Sequence, residues 1–184
     1  MKKYIHPKIK KIKLKVNYFY SNSRYLDSLN MFQSSNLLSA SWQCVDTCFM
    51  PGTKILLENG DTKEIQEIKV NDTVLSYNLV GQETTKNSVA TVTERTYIEG
   101  YLEINKVLKI TLNHKVWVNN SEWIEAREVK IGDSFLNSKG QEVKVRSIKH
   151  IPGEFTVYNL HLNGEEHNFF AEDVLVHNGQ GECS

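Results

Sequence analysis

Two short segments of the 184-residue chain carry side chains that together could rearrange a peptide bond. Cys48 lies just before Pro51-Gly52 and a β-branched run, and its thiolate would be a strong nucleophile. Thr111 and His114 follow an apolar run, where a turn can bring hydroxyl and imidazole together. A hydroxyl that binds a carbonyl oxygen and an imidazole that protonates a leaving amine suit peptide-bond cleavage. Each signal alone has a plainer interpretation, since a lone cysteine is more often structural and a Thr three residues before a His is common.

A second group of candidates lies near the carboxyl end. His177 and Asn178 follow an apolar run, and Gly179 comes next. The side-chain nitrogen of an asparagine before glycine can attack its own backbone carbonyl, which forms a succinimide and cuts the chain. His167 follows two glutamates. The plainer interpretations are a surface histidine at 167 and an ordinary tight turn at Asn-Gly.

The segments that must position these residues are typical of an all-β fold. Short β-branched runs recur from residue 49 onward and are separated by Gly, Asn and Asp. The sequence predicts strands at 53–57, 107–111, 116–118 and 143–148. Asn59-Gly60 predicts a hairpin turn directly after the first of these.

An internal repeat supports this fold class. Residues 67–75 (EIKVNDTVL) and 128–136 (EVKIGDSFL) share four identities at an offset of 61 residues. Two copies of one β-subdomain, packed about a pseudo-twofold axis, would place Asn71-Asp72 and Gly132-Asp133 at matching turns. The alternative is chance similarity between two turn segments.

Composition excludes several functional classes. The chain has no run of about 18 apolar residues, and its basic start is not followed by the apolar stretch of a signal peptide. The three cysteines fit neither a disulfide framework nor a zinc site. We therefore expect a monomer in a reducing, cytoplasmic compartment, with no metal, no cofactor and no membrane.

A zero net charge conceals an asymmetry along the chain. Residues 1–47 hold eight basic and two acidic residues (8 − 2 = +6), and residues 48–184 hold 14 basic and 20 acidic residues (14 − 20 = −6). Such an arm could contact nucleic-acid phosphates. Residues 11–16 (KIKLKV) alternate as a lysine-guarded edge strand would, and this interpretation is favoured over nucleic-acid binding.

Together, the motifs resemble the Hint superfamily, which includes inteins, bacterial intein-like domains, the Hint modules before polymorphic toxins, and hedgehog autoprocessing domains. The resemblance spans residues 48–178, and its segments occur in this order: 48–55, 64–75, 111–114 with 117–118, 123–126, 129–133, 157–160, 167–170 and 175–178. It implies a horseshoe-like all-β fold with pseudo-twofold symmetry and no inserted homing endonuclease.

At the amino end, the resemblance implies roles for three candidates. Cys48 would be the first nucleophile, which attacks the Thr47 carbonyl and forms a thioester. Thr111 and His114 would hold the oxyanion and protonate the departing amine of Cys48.

At the carboxyl end, the resemblance implies that His167 and His177 assist the cyclisation of Asn178. Two positions depart from splicing inteins: Asn159 stands where many carry Asp or Cys, and Gly179 stands where they carry Cys, Ser or Thr. Both departures indicate the bacterial intein-like and pretoxin type, which mainly cleaves.

The resemblance predicts three parts: a flanking arm (1–47), an autoprocessing domain (48–178) and a short tail (179–184). The substrate would be the chain's own flanks. Two alternatives stay open, an inactive Hint module that presents its flanks and a nucleic-acid-binding protein that acts through the basic arm. A cysteine protease acting on other chains is a weaker one.

Overall fold

The structure, a computed structural model, describes residues 47–178. These residues belong to one compact unit of the chain, 41–184. The expected edge strand at 11–16 lies outside the described range. Strands dominate: β1 (Lys54–Leu56), β2 (Thr62–Glu64), β3 (Thr73–Asn78), β4 (Glu83–Tyr97), β5 (Tyr101–Ile104), β6 (Leu108–Ile110), β7 (Lys115–Val118), β8 (Glu122–Glu125), β9 (Ser134–Leu136), β10 (Glu142–Lys144), β11 (Ile148–Ile151), β12 (Phe155–Leu162), β13 (Asn168–Ala171) and β14 (Val174–His177).

The strands form three antiparallel sheets. The largest has the order β10-β9-β7-β14-β13-β1-β2, with β8 paired to β7, and the two smaller sheets have the orders β11-β5-β6 and β12-β4-β3. Two 3₁₀ turns, Ile65–Glu67 and Ala126–Glu128, are the helical segments of residues 47–178. Phe49, Ile55 and Phe169 lie in the main apolar core. The all-β prediction is confirmed.

Most predicted strands are also present. β1, β6 and β7 match the runs 53–57, 107–111 and 116–118, and the Asn59-Gly60 turn joins β1 to β2 as predicted, with Gly60 at φ 87°. The single strand expected at 143–148 is wrong, because the structure divides this run into β10 and β11. Between them, the buried Val145 leaves β10 and bonds to Gly132 and Asp133.

The repeat is confirmed in detail by matched hydrogen bonds. The Asn71 N–H donates to the Val89 carbonyl (2.8 Å), and its equivalent Gly132 donates to the Val145 carbonyl (2.9 Å). In each copy, the aspartate that follows accepts from the backbone N–H three residues before it, Lys69 or Lys130, at 2.8 Å. Both turns need positive φ, 73° at Asn71 and 100° at Gly132.

The pseudo-twofold axis passes beside the first predicted site residues. Phe49 and Ile110 are equivalents at the 61-residue offset, and they pair with each other as an antiparallel bridge. The flanking bonds are related in the same way, since the Met50 N–H donates to the Lys109 carbonyl (3.1 Å) and the Thr111 N–H donates to the Cys48 carbonyl (2.9 Å). The symmetry thus places Cys48 opposite Thr111.

Residues 47–178 include no helix that is long and apolar enough to span a membrane.

Candidate active site

Cys48 begins a short extended segment between two strands. The next residue, Phe49, bridges both Ile110 of β6 and Tyr158 of β12. The Cys48 side chain is 2% exposed, and its backbone N–H donates to Thr111 Oγ1 at 2.9 Å. The segment is therefore held on one edge by β6 and on the other by β12. The bond between residues 47 and 48 lies where the chain becomes buried.

Thr111 contacts the nitrogen of the Thr47–Cys48 bond. Its hydroxyl oxygen accepts the Cys48 N–H, and its own backbone N–H donates to the Cys48 carbonyl. This contact orients the amide at the atom that would leave. Oxyanion binding by Thr111 stays a prediction.

His114 touches both ends of residues 48–178. Its ring lies 4.2 Å from the Phe49 ring, and Nε2 is 2.9 Å from the His177 carbonyl oxygen. Because a carbonyl only accepts, Nε2 must carry the proton, and in the neutral ring Nδ1 carries the lone pair. Nδ1 is buried and makes no hydrogen bond of standard geometry.

The charge state of His114 follows from its burial. Complete burial lowers the pKa of His114 to about 3, although the nearby carbonyl groups of His177 and Thr47 oppose the shift. The Thr47 carbonyl thus lies close to the ring. The imidazole is neutral near pH 7, which makes Nδ1 a proton acceptor beside the Thr47–Cys48 bond.

Asn178 occupies a buried position at the end of β14. It is 0% exposed, and its N–H donates to the His167 carbonyl at 2.8 Å. Neither Oδ1 nor Nδ2 of Asn178 has a hydrogen-bond partner, and His167 Nδ1 is likewise buried without one. A buried amide without hydrogen-bond partners destabilises the folded state, so its presence here points to a functional role.

His177 is half-buried, and its ring lies edge-on to Trp123 at 5.2 Å. Burial lowers its pKa, and the nearby ammonium group of Lys115 adds to the shift. The neutral imidazole of His177 is therefore favoured beside Asn178.

Asn159 lies on β12 near the other end of the site. Its Nδ2 is 3.5 Å from Thr47 Oγ1, and its Oδ1 accepts the Leu160 N–H at 2.9 Å. The side chain of Asn159 therefore faces Thr47, the residue before the predicted cleavage bond.

The six predicted residues are linked by Cys48–Thr111, Thr111–His114, His114–His177 and His167–Asn178 contacts, the two histidine pairs adjoining through the chain at 177–178. The structure also adds residues that sequence reasoning missed. Asn113 is buried beside His114, and its Oδ1 has no partner. Asn168 is buried directly after His167. The sequence feature that could have identified Asn168 was its position in the 167–170 segment of the Hint resemblance. In the described part of the chain, no group of three or more metal-ligating side chains converges.

Comparison with known proteins agrees with this fold. A solved bacterial intein-like domain from Clostridium thermocellum is 30% identical over 71% of this chain and 98% of its own, with a TM-score of 0.65. A DnaB intein from Synechocystis sp. is 19% identical over 73% of this chain and 99% of its own, with a TM-score of 0.63, and the gp41-1 intein is 20% identical over 72% and 99%, with a TM-score of 0.59. No curated protein matched in a sequence search.

The fold and the site define an intein-like domain, the class that acts on its own chain. A profile of the pretoxin Hint domain matches residues 55–179, more than half of the 184 residues. The chain belongs to the pretoxin Hint domain family. The profile begins after Cys48 and includes the other five predicted site residues.

Proposed function

We propose that the chain cuts itself at both ends of residues 48–178, after Thr47 through a thioester and after Asn178 through a succinimide. The observation that carries the proposal is the position of His114. Its ring lies near the Thr47 carbonyl, and its Nε2 binds the His177 carbonyl, one residue before Asn178. One buried imidazole therefore lies near the first candidate bond and contacts the residue before Asn178. The parts 1–47, 48–178 and 179–184 belong to this proposal.

The amino-terminal step is a transfer of the Thr47 acyl group from nitrogen to sulfur. Cys48 Sγ adds to the Thr47 carbonyl carbon, the bond to the Cys48 nitrogen breaks, and the thiol proton ends on the new amine. His114 Nδ1 accepts that proton and returns it to the nitrogen. With a pKa of about 3, its imidazolium is a strong acid for a poor leaving group. Thr111 holds the departing nitrogen.

The carboxyl-terminal step consumes Asn178. Its Nδ2 attacks its own carbonyl carbon, the bond to Gly179 breaks, and the Gly179 amine leaves with one proton. The side chain of Asn178 makes no competing hydrogen bonds, and its backbone is fixed by the His167 carbonyl. The lowered pKa of His177 keeps an imidazole available to take the amide proton.

The thioester has no internal acceptor. Gly179 offers neither hydroxyl nor thiol, so water or an external amine or thiol takes the acyl group. Asn159, in place of the Asp or Cys of many splicing inteins, lies beside Thr47. We therefore propose that cleavage dominates over splicing.

Burial of Cys48 argues against a protease that acts on other chains. Its side chain is 2% exposed and packs in an apolar cluster with Met50, Tyr97 and Val157. A foreign peptide could not reach Sγ without local opening, whereas the Thr47 carbonyl is already attached.

The test is a map of cleavage sites in the full chain with a tagged extension after Ser184. Mass spectrometry should find fragments that end at Thr47 and at Asn178. Cys48→Ala should abolish the first cut and spare the second, and Asn178→Ala should do the reverse. An intact chain, at neutral pH with a thiol present, would support the inactive module instead.

A further inference from the structure

Asn168 makes an unusually complete set of side-chain hydrogen bonds next to the carboxyl-terminal site. It is 1% exposed, and its Oδ1 accepts the Tyr77 N–H at 2.8 Å. Its Nδ2 donates to the carbonyl groups of Tyr77 and Glu166, both at 2.9 Å. The amide thus pairs with β3 as a neighbouring strand would, at the outer edge of the β12-β4-β3 sheet.

One of these bonds encloses His167. Asn168 Nδ2 reaches back to the carbonyl of Glu166, so the bond spans the histidine between them. His167 has φ 48°, in the left-handed region, which a β-carbon disfavours. Such a conformation persists only where neighbouring contacts hold it.

The enclosed histidine contacts the residue that would be consumed. The His167 carbonyl accepts the Asn178 N–H at 2.8 Å. If His167 relaxed to negative φ, its carbonyl would turn away from the Asn178 N–H, and its ring would leave its buried position.

We propose that Asn168 is a positioning residue for cleavage after Asn178: its side-chain amide ties the loop that carries His167 to the edge of β3. This inference rests on the proposed function. Asn168 touches no reacting atom, and it acts through the backbone conformation of His167.

The experiment measures tail release from the full chain with Cys48→Ala and a tagged extension after Ser184. Asn168→Ala should slow release by about 10²-fold, the scale expected for a misplacement of about 1 Å. The matched control is Asn137→Ala, which removes another buried asparagine, 7% exposed, from the β9–β10 turn, where its Oδ1 accepts from the Lys139 and Gln141 N–H groups. Release in the control should stay within about twofold of the parent, since that turn has no bond to His167.

Two further readouts separate positioning from general destabilisation. Adding His167→Ala should reduce the effect of Asn168→Ala to below about tenfold, because coupled residues are not additive. In an otherwise intact chain with Asn178→Ala, thiol-induced release of the arm should be unchanged by Asn168→Ala.

Equal slowing in both His167 backgrounds, or equal loss of arm and tail release, would overturn the positioning role. No tail release from the parent would instead refute cleavage after Asn178 itself. If Asn168→Ala does not fold, the proposal is tested instead by hydrogen exchange of the Asn168 side-chain amide in the Cys48→Ala, Asn178→Ala chain. Slow exchange supports the proposal, and free exchange overturns it.

Discussion

At the scale of single residues, the site is built from neutral, buried polar groups. His114 and Asn178 are fully buried, and in each at least one side-chain polar atom lacks a partner. Burial lowers the pKa of His114 to about 3, so the ring can move a proton without holding a charge at rest. Desolvation of His114 thus falls at the position where the proposed mechanism places the proton transfer.

Replacing His114 by glutamine tests that proton transfer. Gln can still donate to the His177 carbonyl, but it cannot carry a proton to the Cys48 nitrogen. We expect His114→Gln to slow thiol-induced arm release by about 10²–10⁴-fold. The measurement is the first-order rate constant at neutral pH, with circular dichroism as the folding control. An unchanged rate would remove His114 from the first step.

The low pKa of His114 also predicts acid sensitivity of the fold. Its folded pKa of about 3 lies below the ordinary value of 6.5, so between these the unfolded chain binds more protons. The free energy of unfolding therefore rises with pH across this window, by at most about 1.4 kcal/mol per pH unit from this group.

Urea denaturation from about pH 4 to 6, on the Cys48→Ala, Asn178→Ala chain, measures this slope. His114→Gln should make the slope shallower, whereas His161→Gln, at an exposed position on β12, should not change it. Equal slopes with and without His114 would contradict the assigned pKa.

The residue-scale site was only partly predictable from sequence. The six candidate site residues could be identified from their residue types and from the motifs that contain them. Asn168 did not, because its role depends on Tyr77, which lies 91 positions away. The contact from Cys48 to Thr111 likewise depends on a bridge between residues 49 and 110, which no local pattern reveals.

At the scale of elements, short strands and matched turns carry the site. Strands with β-branched runs and Gly or Asn turns were predictable, since local propensity and tertiary pairing agree there. The sequence analysis missed β4 because its 15 residues are largely polar and show no regular alternation of apolar and polar side chains. It is held by pairing on both edges, with β3 and β12.

The matched turns predict the effect of a single methyl group. Gly132 has φ 100°, and no atom lies within 4 Å of an added β-carbon. Gly132→Ala should therefore cost about 1–2 kcal/mol through backbone conformation alone.

Gly132→Asn should cost less than Gly132→Ala, because its equivalent Asn71 already adopts φ 73°. Thermal unfolding of the Cys48→Ala, Asn178→Ala chain measures both. Equal losses for Ala and Asn would show that the two turns are not equivalent.

At the scale of the whole molecule, pseudo-twofold pairing places Cys48 beside Thr111, and the end of β14 brings the His177 carbonyl to His114. The two proposed reactions would proceed independently, because each would use its own nucleophile. Ligation by transesterification would require a side-chain hydroxyl or thiol at position 179, where the chain has Gly179.

Gly179→Cys should raise the yield of arm joined to tail. In the native sequence, ligated product forms only when the released Gly179 amine, with a pKa near 8, attacks the thioester, so it should be scarce. If Gly179→Cys alone has little effect, Asn159→Asp combined with it tests whether position 159 limits coupling. Product ratios come from mass spectrometry with the tagged extension. Efficient splicing by the native chain would contradict the cleavage assignment.

The thioester itself is the central claim, and free cysteine traps it most directly. Cysteine exchanges with the thioester and then moves its acyl group to nitrogen, which leaves a stable amide. The account predicts an arm fragment of residues 1–47 that carries one added cysteine on Thr47, and none from Cys48→Ala. A fragment without added cysteine, or the same product from Cys48→Ala, would contradict it.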